Sequence, residues 1–408
     1  MEKNKIKSTF FLIFLILPIF FQIGHGIFNG TILQKNIYNI PLPVSIFSVV
    51  IFLFYYLITN FKKFFYFFKN KLLIIYFISF VILLFVNFFL HSNNQEKIIY
   101  LFQFFLPVLS LPIGFFYFKK NFFFIIYKII FYFFILHLLF SLLNGKAFLV
   151  DNMFFFSIYQ NLQYVNSTLI FLALFSLLVI YKDLKKIQII FFITLIFLYS
   201  FYAYSLSSLA LFFLGIFLMI EKNLIQNPIK YICIILFLII SLIAINFVNK
   251  SLSQEKFSGN ANYYLNSKKI DDILNLKVPQ NIILRLEIYQ KYLVNFDQKK
   301  LFFGNKEYSL DKSYSSAHNI IIDAVYKFGI LLAIPFLYLF FFIFYKFFSE
   351  QNIYKKKLLL FLIFFLFLEN MFKVSLKQPY PGLISYYIIG LILFNREFDS
   401  LISSKLSH

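Results

Sequence analysis

Long apolar segments separated by short polar gaps are the feature of this sequence that most restricts its fold. Twelve mostly apolar runs alternate with connections that carry lysine. A helix needs about 20 apolar residues to cross a ~30 Å hydrocarbon layer, and the runs have roughly this length. The hydrophobic fraction of 61% is more than a soluble domain of 408 residues can bury. The sequence therefore predicts an all-α polytopic membrane protein and excludes a cytosolic globular enzyme.

Basic residues in the loops predict the orientation of these spans. The spans cover residues 8–28, 42–59, 72–90, 98–118, 122–143, 165–181, 187–201, 206–220, 231–248, 319–348, 358–372 and 383–394. Nineteen basic residues fall in the alternate loops that begin with the N-terminus, whereas the opposite short loops hold Lys35, Lys97, Lys146, Lys373 and Lys377. The positive-inside rule then places both termini in the cytoplasm. Cytoplasmic lysines account for the net charge of +21, so no nucleic-acid partner is expected.

One connection is much longer than the others and lies on the outer, periplasmic side by this count. It divides the chain into residues 1–248 with nine spans, the loop 249–318, and residues 319–408 with three spans and a cytoplasmic tail. Loops of this length without regular structure usually carry function or are disordered. The apolar periodicity inside this loop favours order, and we expect it to be partly helical.

An amphipathic helix is predicted within the long loop. Its apolar residues recur at helical spacing, at Ile282, Leu286, Tyr289, Leu293 and Phe296. Such a helix should lie on the membrane surface or on the transmembrane bundle. Arg285 falls at the edge of the apolar face, where a guanidinium can reach the depth of lipid phosphates. An ordinary snorkelling cation is the alternative reading of Arg285.

His318 and Asn319 stand where the long loop enters the tenth predicted span. An imidazole with a pKa near 6.5 can act as a general base on a sugar hydroxyl. The alternative is an interfacial histidine that only binds water. Asn319, Asp323 and Lys327 follow at helical spacing and form a polar stripe. This stripe is either the wall of a polar cavity or an internal pair of Asp323 with Lys327, because unpaired charges at such depth are costly.

Three further carboxylates are candidates for a site. Glu369 closes the eleventh predicted span, where it can partner a cation of the cavity or pair locally with Lys373. Asp271 and Asp272 are adjacent, but they lack further ligands at a fixed spacing, so no metal site is predicted. The sequence contains no Walker loop, dinucleotide fingerprint or nucleophile elbow, and we expect no cofactor.

Three segments together resemble the bacterial O-antigen ligase and O-antigen polymerase (Wzy-type) superfamily. They are residues 285–293, 301–304 and 316–330. In that superfamily an outer loop carries an arginine, an aromatic residue, a glycine in a turn, and a His-Asn pair that enters a helix. Arg285, Tyr289, Gly304, His318 and Asn319 match these positions. Outside these segments the resemblance extends only to the topology.

The resemblance implies a metal-independent membrane glycosyltransferase of the C type, which uses undecaprenyl-diphosphate-linked glycans on the periplasmic side of the inner membrane. By position, Arg285 would bind the diphosphate and His318 would deprotonate or orient the acceptor hydroxyl. The expected substrate-binding residues are Tyr289, Asn319, Asp323, Lys327 and Glu369. Many members carry Ser-Arg at the start of a middle span. Residues 205–208 lack this arginine, so the resemblance requires another cation, such as Lys327 or a loop lysine.

Two activities follow from the resemblance. A surface-polysaccharide polymerase joins repeat units on lipid diphosphate, and a ligase transfers the finished glycan to lipid A-core. The strong compositional drift suits a locus-specific protein and favours the polymerase, with a chain-length regulator or other assembly proteins as possible partners beside the lipid-linked oligosaccharide and the bilayer. A transporter or flippase is the alternative class, since twelve spans with both ends inside is a common carrier plan. A purely structural membrane protein would need neither Arg285 nor His318.

Overall fold

The structure is a computed structural model in which every regular element of the described part is a helix. It describes residues 44–59, 61–62, 66, 69–89, 95–118, 121–143, 162–202, 206–220, 280–294, 300–305, 316–371 and 374–404. The all-α prediction is therefore confirmed for these residues. The first and ninth predicted spans lie outside them, as do Asp271 and Asp272.

The α-helices of the described part are α1 (Val44–Thr59), α2 (Lys71–Phe89), α3 (Gln95–Phe105), α4 (Ser110–Phe116), α5 (Phe122–Leu143), α6 (Leu162–Ile180), α7 (Lys186–Tyr202), α8 (Leu206–Ile220), α9 (Gln280–Val294), α10 (Ile320–Phe328), α11 (Ile330–Ser349), α12 (Ile353–Met371), α13 (Pro379–Phe394) and α14 (Arg396–Ser404). Short 3-10 segments stand at Leu106–Leu109, Tyr181–Asp183 and Ser375–Lys377. The first of these contains Pro107, which cannot donate a backbone hydrogen bond and so separates α3 from α4.

Two helices of the described part, α2 and α11, are long and apolar enough to cross a membrane. Several of their aromatic side chains are exposed, including Phe77 and Phe85 on α2 and Phe341 on α11, which is 71% exposed. Exposed aromatic side chains of this size suit hydrocarbon better than water. The count of twelve spans stays a prediction.

The chain forms two compact units. Unit 1 comprises Met1–Phe122, Phe155–Gln160 and Ile288–His408, and unit 2 comprises Phe123–Phe154 and Asn161–Glu287. The boundary between the units falls inside α9. This division differs from the predicted three segments, which follow membrane topology and stay a prediction.

Helix α13 lies at the centre of unit 1, and residues 381–393 of it are buried. Helix α4 packs closely against α13 because two glycines meet the opposite backbone. A Cβ on Gly114 would lie 2.1 Å from the carbonyl oxygen of Tyr387, and one on Gly390 would lie 2.2 Å from that of Leu111. Larger side chains at these positions would separate the two helices. Small residues allow the same close approach between helices in membrane bundles.

Helix α6 lies at the centre of unit 2, where residues 167–180 are all buried. A helix that is apolar all round is typical of such a central position. The ring of Phe175 lies 5.6 Å from that of Phe123 on α5. On α8, Gly215 permits close approach, since a Cβ there would lie 2.8 Å from the side chain of Leu174.

Gly329 divides the tenth predicted span into two helices. The sequence predicts one span over residues 319–348, but α10 ends before Gly329 and α11 begins after it. Gly329 has a φ of +74°, and a Cβ there would lie 2.2 Å from the carbonyl oxygen of Phe302. The N–H of Ile330 donates to the carbonyl of Leu301 at 2.8 Å. The single-span prediction is wrong because the turn at residues 301–304 packs against this break, and α10 precedes the membrane-length helix.

Candidate functional site

The C-terminal half of α9 packs on the region that begins α10. Ile288 and Tyr292 are buried there, and the ring of Tyr292 meets that of Tyr326 edge-on at 4.7 Å. The helix predicted in the long loop is therefore confirmed. Two residues of its predicted apolar face, Leu286 and Leu293, are 56% and 63% exposed, so contact of that face with the membrane surface stays a prediction. The side that carries Ile288 and Tyr292 is the one buried in the protein.

Tyr289 connects α9 to two other segments of unit 1. Its hydroxyl donates to the carbonyl oxygen of Met371 at the end of α12, and it lies 3.4 Å from the carbonyl oxygen of His318. Two residues that the sequence analysis selected, Tyr289 and His318, are thus in contact although 29 positions separate them.

His318 has a backbone conformation that residues other than glycine rarely adopt. Its φ is +54°, and its N–H donates to the hydroxyl of Ser316 at 3.3 Å. The next residue, Asn319, caps α10 by accepting from the N–H groups of Ile321 and Ile322 at 3.0 and 3.2 Å. Such backbone outliers cost of order 1–3 kcal/mol and cluster at functional sites. The imidazole of His318 is half-buried.

Asp323 is the centre of a buried ion cluster directly behind this loop. Its carboxylate lies 3.3 Å from Nζ of Lys327 and 2.6 Å from Nζ of Lys377, and it accepts from the N–H of Ala317 at 3.0 Å. The side chains of Asp323 and Lys327 are fully buried, so the predicted pair between them is confirmed. Through this hydrogen bond Asp323 fixes the backbone of Ala317, the residue before His318. The predicted substrate contacts of Asp323 and Lys327 stay a prediction.

Aromatic rings of α3 contact the two lysines of this cluster. Nζ of Lys327 lies 4.5 Å from the ring centre of Tyr100, and Nζ of Lys377 lies 5.4 Å from that of Phe104. Lys97 is fully buried and donates to the carbonyl of Asn305 at 2.6 Å. Cation–π contacts are strongest when the cation has lost its water, as here.

Burial disfavours the charged form of Asp323, Lys327 and Lys97, which lie outside the two membrane-length helices. Burial alone raises the pKa of the Asp323 carboxyl, but Lys377, Lys327 and the N–H of Ala317 together lower it to about 2. Burial and the nearby Lys377 lower the pKa of Lys327, against the attraction of Asp323. Burial lowers the pKa of Lys97 to about 7. Asp323 is therefore ionised at neutral pH.

The predicted site residue Glu369 fixes the turn between α12 and α13. Its carboxylate accepts from the hydroxyl of Ser375 at 2.7 Å, and the side chain of the adjacent Asn370 accepts from the N–H of Leu376 at 3.0 Å. Glu369 is fully buried. The alternative partner, Lys373, lies outside the described residues.

The sequence analysis missed Lys97 and Lys377 as buried lysines near α10. A signal for both was present, because each is one of the few basic residues in the short loops predicted to be outside. The positive-inside rule disfavours lysine there. A lysine that breaks this rule is a candidate for a buried partner.

Arg285 lies one helical turn before Tyr289 on α9 and is half-buried. It belongs to the part of α9 that is assigned to unit 2, whereas His318 belongs to unit 1. The predicted convergence of Arg285 and His318 therefore stays a prediction.

An apolar groove of about 210 Å³ lies between α11 and α12. Phe340 and Phe344 of α11 and Phe367 of α12 line it, and it extends to Ile321 and Met371. Met371 also accepts the hydrogen bond of Tyr289, so the groove reaches the residues that hold the His318 loop.

Within the described ranges, no three side chains of His, Cys, Asp or Glu lie close enough together to hold a metal ion. The chain matches no protein-family model, no curated protein and no solved structure. Membership of the O-antigen ligase and polymerase superfamily therefore rests on the resemblance of the motif and stays a prediction.

Proposed function

We propose that this protein is a glycosyltransferase of the bacterial inner membrane that polymerises a surface polysaccharide from undecaprenyl-diphosphate-linked units at the periplasmic face. One observation carries the proposal. Tyr289 of the loop helix bonds to the end of α12 and contacts the strained His318 segment, so separate parts of the motif meet in space. A sequence resemblance arising by chance would not require these segments to be in contact.

The contacts within unit 1 support the proposed orientation in the membrane. Lys97, Asn305 and Lys377 come from three different connections that are predicted to be periplasmic, and all three join the region around α10. Lys62 and Arg396, from two connections that are predicted to be cytoplasmic, line one cavity. Residues assigned to the same side by counting charges are thus neighbours.

The proposed reaction breaks one bond and forms one. The acceptor sugar hydroxyl attacks the anomeric carbon of the donor, and its proton passes to the imidazole of His318. The bond between that carbon and the diphosphate oxygen breaks, and its electron pair leaves with the lipid diphosphate. The guanidinium of Arg285 stabilises this leaving group through two parallel hydrogen bonds. The diphosphate bond supplies the driving force, so no nucleotide is needed.

The groove between α11 and α12 suits the isoprenoid tail of such a donor. Its volume of about 210 Å³ is below the ~300–1,000 Å³ of pockets that enclose a whole small ligand. It therefore accepts part of an extended apolar chain rather than a sugar. Its end at Met371 lies beside the segment that carries His318.

The role of His318 is tested by His318→Asn. Asparagine tolerates a positive φ better than alanine does, so this change removes the base with little added strain. Polymer synthesis should fall by ~100-fold or more, which is typical for the loss of a general base. The readout is the polysaccharide ladder on a gel at equal protein level. A normal ladder in this variant would exclude His318 as the base.

The role of Arg285 is tested by Arg285→Lys, which keeps the charge but removes the planar fork. We expect loss of long-chain polysaccharide without loss of protein. The matched control is Lys291→Gln on the exposed side of the same helix, which should leave the ladder unchanged. An intact ladder in Arg285→Lys would refute the assignment of the diphosphate contact.

The lipopolysaccharide of a deletion strain separates the polymerase from the ligase. A polymerase defect leaves one repeat unit on the core. A ligase defect leaves bare core while lipid-linked polymer accumulates, and that result would replace the proposed polymerase with a ligase.

A further inference from the structure

A cavity of about 970 Å³ opens in unit 1 at the C-terminal end of α13, the opposite end from Lys377. Three cations line it, Lys62, Lys69 and Arg396. Each of their side chains is exposed. They come from two connections that are far apart in the sequence, so the fold brings their charges to one place.

The wall of this cavity is fixed by one buried side chain. Nδ2 of Asn395 donates to the carbonyl of Gly114 at 3.0 Å and to that of Phe115 at 2.8 Å. Its Oδ1 accepts from the N–H of Phe398 at 3.0 Å. Asn395 thereby ties the ends of α4 and α13 to the start of α14, where Arg396 stands. The position of the Arg396 backbone is therefore set by the core.

The charge of the lining is positive on balance. Glu397 and Asp399 also line the cavity, but Asp399 pairs with Lys355 at 2.5 Å. Glu397 is thus the one carboxylate of the lining that Lys355 does not neutralise, against three cations. An anion entering the cavity meets more donors than competing carboxylates.

The same cavity has an apolar wall. Phe115 and Phe116 of α4 line it together with Leu393 and Phe394 of α13. A soluble anion gains nothing from this surface. A lipid gains from both parts, because its phosphate meets the cations while the upper part of its acyl chains covers the phenylalanines.

We propose that this cavity binds the phosphate headgroup of an anionic phospholipid in the cytoplasmic leaflet. Lys62, Lys69 and Arg396 neutralise the phosphate, and the phenylalanines of α4 and α13 contact the chains. Basic pockets on the cytoplasmic side of transmembrane helices are known to recognise such headgroups. The inference rests on the membrane location of the chain and is independent of the proposed glycosyltransferase activity.

The test is a titration of the full chain, purified in neutral detergent, with phosphatidylglycerol and with phosphatidylcholine. Native mass spectrometry measures the fraction of protein that carries lipid. Phosphatidylglycerol should bind preferentially. Each cation contributes roughly a five-fold gain in affinity, so changing all three to glutamine should weaken binding on the order of 100-fold. Lys62→Gln alone, at an exposed side chain, should weaken it roughly five-fold.

The control removes the same number of charges elsewhere, at the exposed residues Lys182, Lys185 and Lys186. This variant should keep the preference for phosphatidylglycerol. An equal loss of phosphatidylglycerol binding in the control variant would mean that net charge alone determines binding, and it would refute the proposed site. Glycerol phosphate and inorganic phosphate, which lack chains, should compete poorly. Competition by either at the concentration of the lipid would overturn the lipid as occupant.

Discussion

Asp323→Asn is the most direct test of the buried ion cluster. The change keeps the shape of the side chain but removes its charge, so Lys327 and Lys377 remain buried without their carboxylate. The two lysine side chains are 0% and 6% exposed, so water cannot replace the lost partner. The contact to the N–H of Ala317 also weakens, because a neutral amide oxygen is a poorer acceptor than a carboxylate.

The cost of this change follows from burial. Removing one partner of a buried ion pair costs about 3–5 kcal/mol, whereas an exposed pair contributes about 0–1 kcal/mol. The chain contains a matched control in Asp399, which pairs with Lys355 at 2.5 Å but whose side chain is 41% exposed. Asp323→Asn should therefore destabilise the protein several times more than Asp399→Asn, although the Asp323–Lys377 distance of 2.6 Å is nearly equal to the Asp399–Lys355 distance.

The free energy of unfolding of the full chain in detergent micelles measures this difference, with wild type and both variants prepared side by side. A third variant replaces Asp323 with Leu and both Lys327 and Lys377 with Met. Apolar replacement of a whole buried ion set is often neutral or stabilising, so this variant should recover most of the loss.

Equal destabilisation by Asp323→Asn and Asp399→Asn would refute the reasoning, because it would mean that the Asp323 cluster is hydrated. A triple variant less stable than Asp323→Asn would also contradict it. In that case the lysines would stabilise the fold through contacts other than the carboxylate.

Three further predictions concern the same region. Gly329→Ala should destabilise the fold by more than about 1 kcal/mol, because residue 329 has a positive φ and its Cβ would meet the Phe302 backbone. Gly215→Ala on α8 is the control and should cost less, because only the side chain of Leu174 must move. Thermal unfolding measures both variants. Asn319→Ala should cost about 1 kcal/mol by loss of the helix cap, while Asn319→Asp should keep it; equal unfolding free energies would contradict this. Because its pKa is lower in the folded protein than the ordinary value of 3.8, ionised Asp323 stabilises the fold above pH 3.8, and this contribution is lost as the pH falls towards about 2. The free energy of unfolding measured over this range should depend less on pH in Asp323→Asn.

The helices of the fold were predictable where a long apolar run is uniform. The sequence predicts a span over residues 72–90, and α2 covers Lys71–Phe89. The predicted span 383–394 lies within α13. In such runs every position favours a buried or membrane-embedded helix. Only the exact first and last residues of the helix are uncertain, and the flanking polar residues mark where it begins and ends.

The buried face of α9 was not predictable from periodicity. This helix carries apolar residues on two sides, one with Leu286 and Leu293 and the other with Ile288 and Tyr292. Spacing places residues on a common face, but it does not say which of two apolar faces meets the protein. Tertiary contacts with Tyr326 decide it here. The exposed leucines remain available to a membrane surface.

The break at Gly329 was hidden for a related reason. In the sequence, Gly329 is a single small residue inside an apolar run, where a glycine is compatible with a continuous helix. Its φ of +74° is required by the approach of the backbone at Phe302. That contact joins residues far apart in the chain, so no local pattern records it.

The buried lysines connect the charge pattern of the sequence to the proposed site. Lys97 and Lys377 break the positive-inside pattern, and each holds a connection near α10, through Asn305 and Asp323 respectively. With Lys327, three lysine side chains and the Asp323 carboxylate are buried in this region. The positive charge of these lysines favours a diphosphate at the His318 end of unit 1 more at acidic than at neutral pH, because burial lowers the pKa of Lys97 to about 7 and also lowers that of Lys327. On the proposed function, these buried lysines are candidates for the cation that the resemblance requires in place of the arginine missing from residues 205–208.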